Sequence, residues 1–266
     1  MKIAIIGVGN LGMSIAKGIH SQQLASQLYL TKRNLKDLKE FDLVENIHLT
    51  TNNIEAVKES EVIILAVQPI HIEQILNEIK PYFTKNHIII STITGLTIDK
   101  IEDVIGSDLP IIRAMPNTAI SVGKSMTCLC TNDFGKLKIE MATSIFDSLG
   151  HTMVIQEKLM QSATVVCASG IAFWMRLIRA TTQAAIQLGF DAKEAQELAM
   201  FTSQGAAELL IENGNHPEEE IDKVTTPMGC TIEGLNEMEH SGMSSSLIRG
   251  MVASFNKINA IKKEQV

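Results

Sequence analysis

Three glycines mark the first place where this chain could do chemistry. Gly7, Gly9 and Gly12, with Val8, Asn10 and Leu11 between them, spell G-x-G-x-x-G. The motif follows an apolar run at residues 2–6 and opens a stretch of helical spacing at residues 11–21. In such a turn the first glycine permits the tight bend, the second lets a phosphate approach the backbone, and the third lets helix and strand pack closely. The helix start adds free N–H groups and the positive end of a dipole, so the expected occupant is a pyrophosphate. A glycine turn without a ligand is the alternative, and the strand-turn-helix context argues against it.

A second group lies at the end of the next apolar run, where Leu30-Thr31-Lys32-Arg33-Asn34 offers a hydroxyl, an amide and two cations. A dinucleotide with a free ribose 2′-hydroxyl calls for Asp or Glu at this place, and none is present. Thr31, Lys32 and Arg33 suit a 2′-phosphate instead, so NADPH is expected to be preferred, with NADH possible. The plain alternative is that Lys32 and Arg33 are solvated surface charges. A third group, Thr226-Pro227-Met228-Gly229-Cys230-Thr231, leads into a helical stretch. Exposed N–H groups at such a start suit a carboxylate. An ordinary N-cap by Thr226 or Thr231, with Pro227 in the first turn, is the competing account.

The elements that must hold these groups alternate in the first half. Strands are expected at residues 2–6, 28–31, 61–67, 87–92 and 110–114, and helical stretches at 11–21, 35–41, 70–79 and 98–105. Continuous apolar strands between helices mean a mostly parallel sheet covered on both faces. Residues 125–130 and 153–155 are expected to add edge strands around a helix within 135–149. From about residue 157 the strand pattern stops, and about five helices are expected to the end, punctuated by Gly189, Gly214 and His216-Pro217. His216 with Pro217 and Glu218, Glu219 and Glu220 reads as a helix start. Residues 261–266 are expected to fray.

Bulk properties narrow the classes. The chain has 266 residues and a formal net charge of -7, with scattered basic residues and no basic stripe, so a nucleic-acid partner is not expected. The apolar runs have the length of buried strands, no membrane span is expected, and residues 1–6 do not read as a secretory leader. The expected location is the cytoplasm. Cys128, Cys130, Cys167 and Cys230 lack paired C-x-x-C spacing, so no metal site is expected and reduced, semi-buried thiols are. Cys128 and Cys130 would share one face of a strand.

Further segments carry a resemblance over nearly the whole chain. Ala66-Val67-Gln68-Pro69 resembles the A-V-K-P stretch of pyrroline-5-carboxylate reductases, and Ser91-Thr92-Ile93-Thr94-Gly95-Leu96-Thr97-Ile98 resembles their S-x-x-x-G-x-x-I. Arg113-Ala114-Met115-Pro116-Asn117-Thr118 is similar to R-x-M-P-N-T, and residues 224–235 to V-x-[ST]-P-G-G-x-T-x-x-[AG]-L. The resemblance implies NADPH-dependent hydride transfer to the C=N of L-1-pyrroline-5-carboxylate, giving L-proline. It implies a cofactor held by Gly7, Val8, Asn10 and the rest of the glycine turn, Asn53, Ala66, Val67, Gln68, Pro69, Thr92, Ile93 and Thr94. The substrate, a cyclic imino acid, would meet Met115, Asn117, Gly229, Cys230 and Thr231, with the Thr231 hydroxyl reaching the imine nitrogen.

The expected fold is an α/β Rossmann-type domain with a mostly parallel sheet at residues 1–156. An all-α substrate and dimerisation domain is expected at 157–266, forming a homo-oligomer. Departures from the family pattern are Met228 for glycine, Gln68 for lysine, Ala119 for proline, Ala168 for glycine and Ile171 for proline. They keep open a reductase of a related cyclic imine, or an NADP-binding paralogue without turnover. A β-hydroxyacid dehydrogenase would need a lysine on the first long helix of the second domain as proton donor. Residues 161–188 contain none, and their cations, Arg176 and Arg179, are poor donors.

Overall fold

A computed structural model describes residues 1–264 of the chain, with side-chain surroundings through residue 260; Gln265 and Val266, the end of the tail expected to fray, lie outside the described residues. The described chain divides into two compact units, residues 1–169 with 255–264, and residues 170–254. The change of periodicity in the sequence falls earlier, near residue 157. Residues between there and 169 are helical, but their contacts are those of the first unit.

The first unit is built on one eight-stranded sheet. Its strands are β1 (Lys2–Ile6), β2 (Gln27–Thr31), β3 (Ile47–Thr50), β4 (Val62–Leu65), β5 (Ile88–Ser91), β6 (Ile111–Met115), β7 (Ser125–Thr131) and β8 (Gly150–Val154). Their order is β3-β2-β1-β4-β5-β6-β7-β8. All neighbours run parallel except β6 and β7, which are antiparallel. Alternation along the strands feeds two separate cores. Ile3, Ile5, Val62, Ile64 and Ile90 enter one apolar cluster, while Ala4, Ile6, Ile63, Leu65 and Ile89 enter the other. A strand buried on both faces therefore has no polar positions to alternate with, which is why these strands read as unbroken apolar runs.

Helices cover both faces. On one side lie α1 (Asn10–Ser21), through Ile15 and Ile19, and α5 (Ile139–Asp147), through Ala142, Ile145 and Phe146. On the other lie α2 (Asn53–Lys58), α3 (Ile72–Ile79) and α4 (Ile98–Ile105). For α4 the sequence expectation has the same bounds. The Thr97 side chain accepts from Lys100 N at its start, and Gly106 stops it at φ +90°. Residues 35–41 form a 3-10 helix rather than an α-helix, and β3 lies in a stretch where no strand was expected. The short α6 (Met160–Ala163) passes into a π-helical turn, Thr164–Ser169, with Met160 and Ala163 in the second core.

The second unit is helical. Its elements are α7 (Gly170–Gln187), α8 (Ala192–Asn213), α9 (Pro217–Val224), α10 (Cys230–His240) and α11 (Met243–Glu264), whose last turns count with the first unit. A capping box of Asp191 and Glu194 starts α8, and Gly214 at φ +64° ends it. The side chain of His216 accepts from Glu218 N and Pro217 fills the first position of α9, the start that the sequence suggested.

Candidate active site

Strand order creates the site in the first unit. β1 lies between β2 and β4, so the chain leaves β1 in one direction to add β2 and β3 and in the other to add β4, β5 and β6. The carboxyl ends of β1, β4 and β5 are level, with Ile6 beside Leu65 and Leu65 beside Ser91. The loops that follow them therefore line one edge of the sheet at its switch point, where open α/β sheets take their ligands.

Each glycine of the turn has a distinct reason to be there. Gly7 has φ +89°, and a Cβ on it would overlap the Val67 side chain. Its N–H is shared between the carbonyl and the hydroxyl of Thr31, both at 3.2 Å. A Cβ on Gly12 would stand 2.8 Å from the Gly7 carbonyl oxygen, so this glycine lets α1 approach β1. Gly9 differs: a Cβ there meets no protein atom within 4 Å, and its φ of -85° is open to any residue. Packing within the chain does not explain it, whereas the close approach of a phosphate does. No side chain caps the start of α1, and Val8 N–H is bonded to the Thr31 carbonyl at 2.9 Å. A turn with an open second glycine before an uncapped helix fits a dinucleotide pyrophosphate.

The residues expected near the ribose are only partly free. The Thr31 hydroxyl donates to Asn53 Oδ1 at 2.8 Å, and Asn53 Nδ2 donates to Glu78 at 3.3 Å. Thr31 thus ties β2, the glycine turn and α2 together. Lys32 pairs with Asp37 at 2.9 Å, a partner that sequence spacing alone did not suggest, and Arg33 is exposed. Ala66, half-buried, continues the pairing beyond β4 by donating to the Ile6 carbonyl at 2.9 Å. Val67 packs under Gly7, and exposed Gln68 precedes the 3-10 turn begun by Pro69. Thr92 is buried, and both its N–H and its hydroxyl donate to the Leu65 carbonyl at 3.0 Å. Ile93 is buried and Thr94 half-buried.

Met115 is buried at the end of β6, two residues before Asn117. The Asn117 amide joins several pieces: its Oδ1 accepts from Ala119 N at 3.0 Å, and its Nδ2 donates to the Cys167 carbonyl at 3.2 Å. Its own N–H donates to Ser125 Oγ at 3.1 Å. A π turn leaves carbonyls out of the regular ladder, and one of them serves here as an anchor for Asn117. Beneath it, buried Arg113 donates to Glu157 at 3.0 Å, and the same carboxylate accepts from Ile98 N at 2.7 Å. Arg113 is marked in the sequence only as part of the R-x-M-P-N-T stretch, and Glu157, distant from it, carries no signal.

In the second unit, residues 225–229 bring the chain into α10. Met228 adopts φ +61° with its side chain fully exposed, the left-handed conformation that glycine takes most easily. The family's usual glycine at this place thus has a backbone reason, and methionine tolerates the turn at a cost of about 1–2 kcal/mol. Gly229 donates its N–H to the Thr226 carbonyl at 2.9 Å, and a Cβ on it would overlap the Thr226 hydroxyl. Gly229 is therefore a shape requirement, not a free donor. The N-cap is Gly229 itself, without a side-chain cap, so neither Thr226 nor Thr231 closes the helix start. The N–H groups of Cys230 and Thr231 open the helix, and half-buried Thr231 has no side-chain hydrogen bond among the described residues. That arrangement can hold a carboxylate and offer one hydroxyl beside it.

Residues 157–261 match the family described as pyrroline-5-carboxylate reductase dimerisation, and residues 2–95 the family described as NADP oxidoreductase, coenzyme F420-dependent. The chain is 41% identical over 272 residues to pyrroline-5-carboxylate reductase 2 of Dictyostelium discoideum, covering 96% of this chain and 91% of that protein. Identity is 47% over 269 residues to pyrroline-5-carboxylate reductase 1 of the same organism, of whose length the chain spans 49%. A crystal structure of pyrroline carboxylate reductase from Plasmodium falciparum with NADP bound has a TM-score of 0.89 and 25% identity to this chain, covering 98% of each.

Proposed function

Because the chain belongs to the pyrroline-5-carboxylate reductase family, we propose that it reduces the C=N bond of L-1-pyrroline-5-carboxylate with NADPH, giving L-proline. The observation that carries the reading is the start of α10, which has no side-chain cap: there the Cys230 and Thr231 N–H groups stand beside the Thr231 hydroxyl, which makes no hydrogen bond among the described residues. When bound, NADPH supplies the hydride that the imine carbon accepts. The turn at Gly7, Gly9 and Gly12 with the start of α1 holds the pyrophosphate. Thr31, Lys32, Arg33 and Asn53 face the adenosine side, and residues 66–69 and 92–94 support the remainder.

The protein's own part is position and polarity. Cys230 and Thr231 N–H groups hold the substrate carboxylate, aided by the helix dipole. The Thr231 hydroxyl aligns the imine nitrogen, and a protonated imine needs no stronger acid. In the first unit, Met115 and Asn117 are the residues that the family resemblance assigns to the substrate. Residues 1–156 serve as the dinucleotide-binding domain and residues 157–266 as the substrate and dimerisation domain. A homo-oligomer through the latter is supported by its sparse interior. Thr182, Ala195 and Ala199 are buried there, while Trp174, Phe201 and Ile211 are exposed.

The test is loss of NADPH absorbance with purified protein and L-1-pyrroline-5-carboxylate, with NADH run in parallel. Turnover with NADPH ahead of NADH is expected. Bound NADPH with no turnover on this substrate would overturn the reading and send the search to other cyclic imines.

A further inference from the structure

Two thiols meet beside the Asn117 anchor. Cys128, buried on β7, and Cys167, half-buried in the π turn, have their sulfurs 3.9 Å apart although 39 residues separate them in sequence. No group of three His, Cys, Asp or Glu side chains among the described residues could hold a metal, so the pair is not part of such a site. The thiols are unlike. The contact between the two sulfurs lowers the Cys167 thiol, while that contact and burial raise Cys128. Cys167 is the more exposed residue of the pair, Cys128 lies buried, and an accessible thiol of lowered pKa is the one that meets an oxidant first. Cys130, pushed up to about 11 by burial, and exposed Cys230 make no hydrogen bond to another cysteine among the described residues.

We propose that Cys128 and Cys167 form an oxidation site that a peroxide closes into an intramolecular disulfide, and that closure slows turnover by shifting the π turn whose carbonyl holds Asn117. The Cys167 thiolate attacks one peroxide oxygen and the O–O bond breaks, leaving a sulfenic acid and hydroxide, which takes up a proton to become water. The Cys128 sulfur then attacks the Cys167 sulfur, its proton passing to the departing hydroxyl oxygen. An S–S bond forms, the S–O bond breaks, and the departing oxygen leaves as a second water. Two thiols lose two electrons and the peroxide gains them.

The movement is small. A disulfide needs the sulfurs about 2.05 Å apart, so they close by roughly 1.9 Å. The π turn is the element able to give, because its hydrogen-bond register already departs from the α-helix. Its Cys167 carbonyl carries the Asn117 amide at 3.2 Å, so a shift of the turn reaches Met115 and Asn117 at the end of β6. The effect on rate rests on the reductase reading; the formation of the disulfide does not.

The experiment treats the reduced full-length protein with hydrogen peroxide, alkylates the remaining thiols and maps peptides without reductant. A cross-linked pair containing Cys128 and Cys167 is expected, with the NADPH-dependent rate on L-1-pyrroline-5-carboxylate falling roughly tenfold. Dithiothreitol should restore both. Cys128→Ala should give no cross-link, a Cys167 sulfenic acid trapped by dimedone, and no dithiothreitol-reversible loss; Cys128→Ser repeats the test should the alanine variant fold poorly. Separate alkylation of both cysteines after peroxide would overturn the site, and a cross-linked enzyme at full rate would overturn the effect. An untreated enzyme without turnover would defeat the reductase reading, while the peptide map still decides the disulfide.

Discussion

Thr231 owes its interest to what its hydroxyl does not do. Its backbone opens α10, yet the side chain leaves the capping to Gly229. Loss of one hydroxyl contact in a closed site is worth about 1–3 kcal/mol, or roughly tenfold to a hundredfold in rate. Thr231→Ala should show that fall in kcat with the NADPH dissociation constant unchanged, and Thr231→Ser should keep most of the rate; equal rates in all three would remove the residue from the mechanism. His87 makes a different case. Thr84 N–H donates to its Nδ1 at 2.8 Å, which fixes the proton on Nε2, and Nε2 donates to the Val57 carbonyl at 3.2 Å. Burial lowers its pKa from the ordinary 6.5, so the unfolded chain takes up the proton first as pH falls. Stability from this residue is complete above about pH 6.5 and is lost below it, down through the folded pKa. Denaturant titrations from pH 8 to pH 5 should show that decline, and His87→Gln should flatten part of it; an unchanged acid slope would refute the assignment.

At the level of elements, the strand-turn-helix of the cofactor cradle separates shape from binding. Gly12→Ala places a Cβ 2.8 Å from the Gly7 oxygen and should lower the thermal midpoint along with NADPH affinity. Gly9→Ala meets open space and should leave the midpoint unchanged while NADPH affinity falls tenfold or more, about 1.4 kcal/mol. Thermal melts and fluorescence titration of both variants check the contrast, and loss of stability in Gly9→Ala would contradict it. Central strands were legible because burial on both faces makes β4 wholly apolar and leaves β5 and β6 one polar residue each, Ser91 and Arg113. The edge strand β3 was not, since Ile47-His48-Leu49-Thr50 has half its positions facing outward and charged neighbours before it. Nor was the π turn, because apolar spacing records which face is buried and not which carbonyl each N–H meets. The ion pair of Arg113 with Glu157 was hidden for the same reason: it joins segments 44 residues apart.

For the whole molecule, the helical unit has too little interior of its own. Phe201 is 67% exposed on α8, in company with Leu209 and Ile211. A second copy covering that surface should make the thermal midpoint rise with protein concentration. Phe201→Glu should shift sedimentation toward the monomer and abolish that dependence; a wild-type protein that sediments as a monomer would reject the oligomer. Site residues on the sheet edge were legible because the glycine turn and the strand ends follow one another in sequence. The Cys128 and Cys167 meeting was not, because neither lies in a motif that spacing could mark. The strand order has one more consequence, for synthesis on the ribosome. The strand made first, β1, stands inside the sheet, and β2 and β3 extend one side of it before β4, β5 and β6 extend the other. Each new strand thus finds its neighbour already translated, so the sheet can grow outward from its oldest strand, and no gap must be held open for a segment yet to emerge.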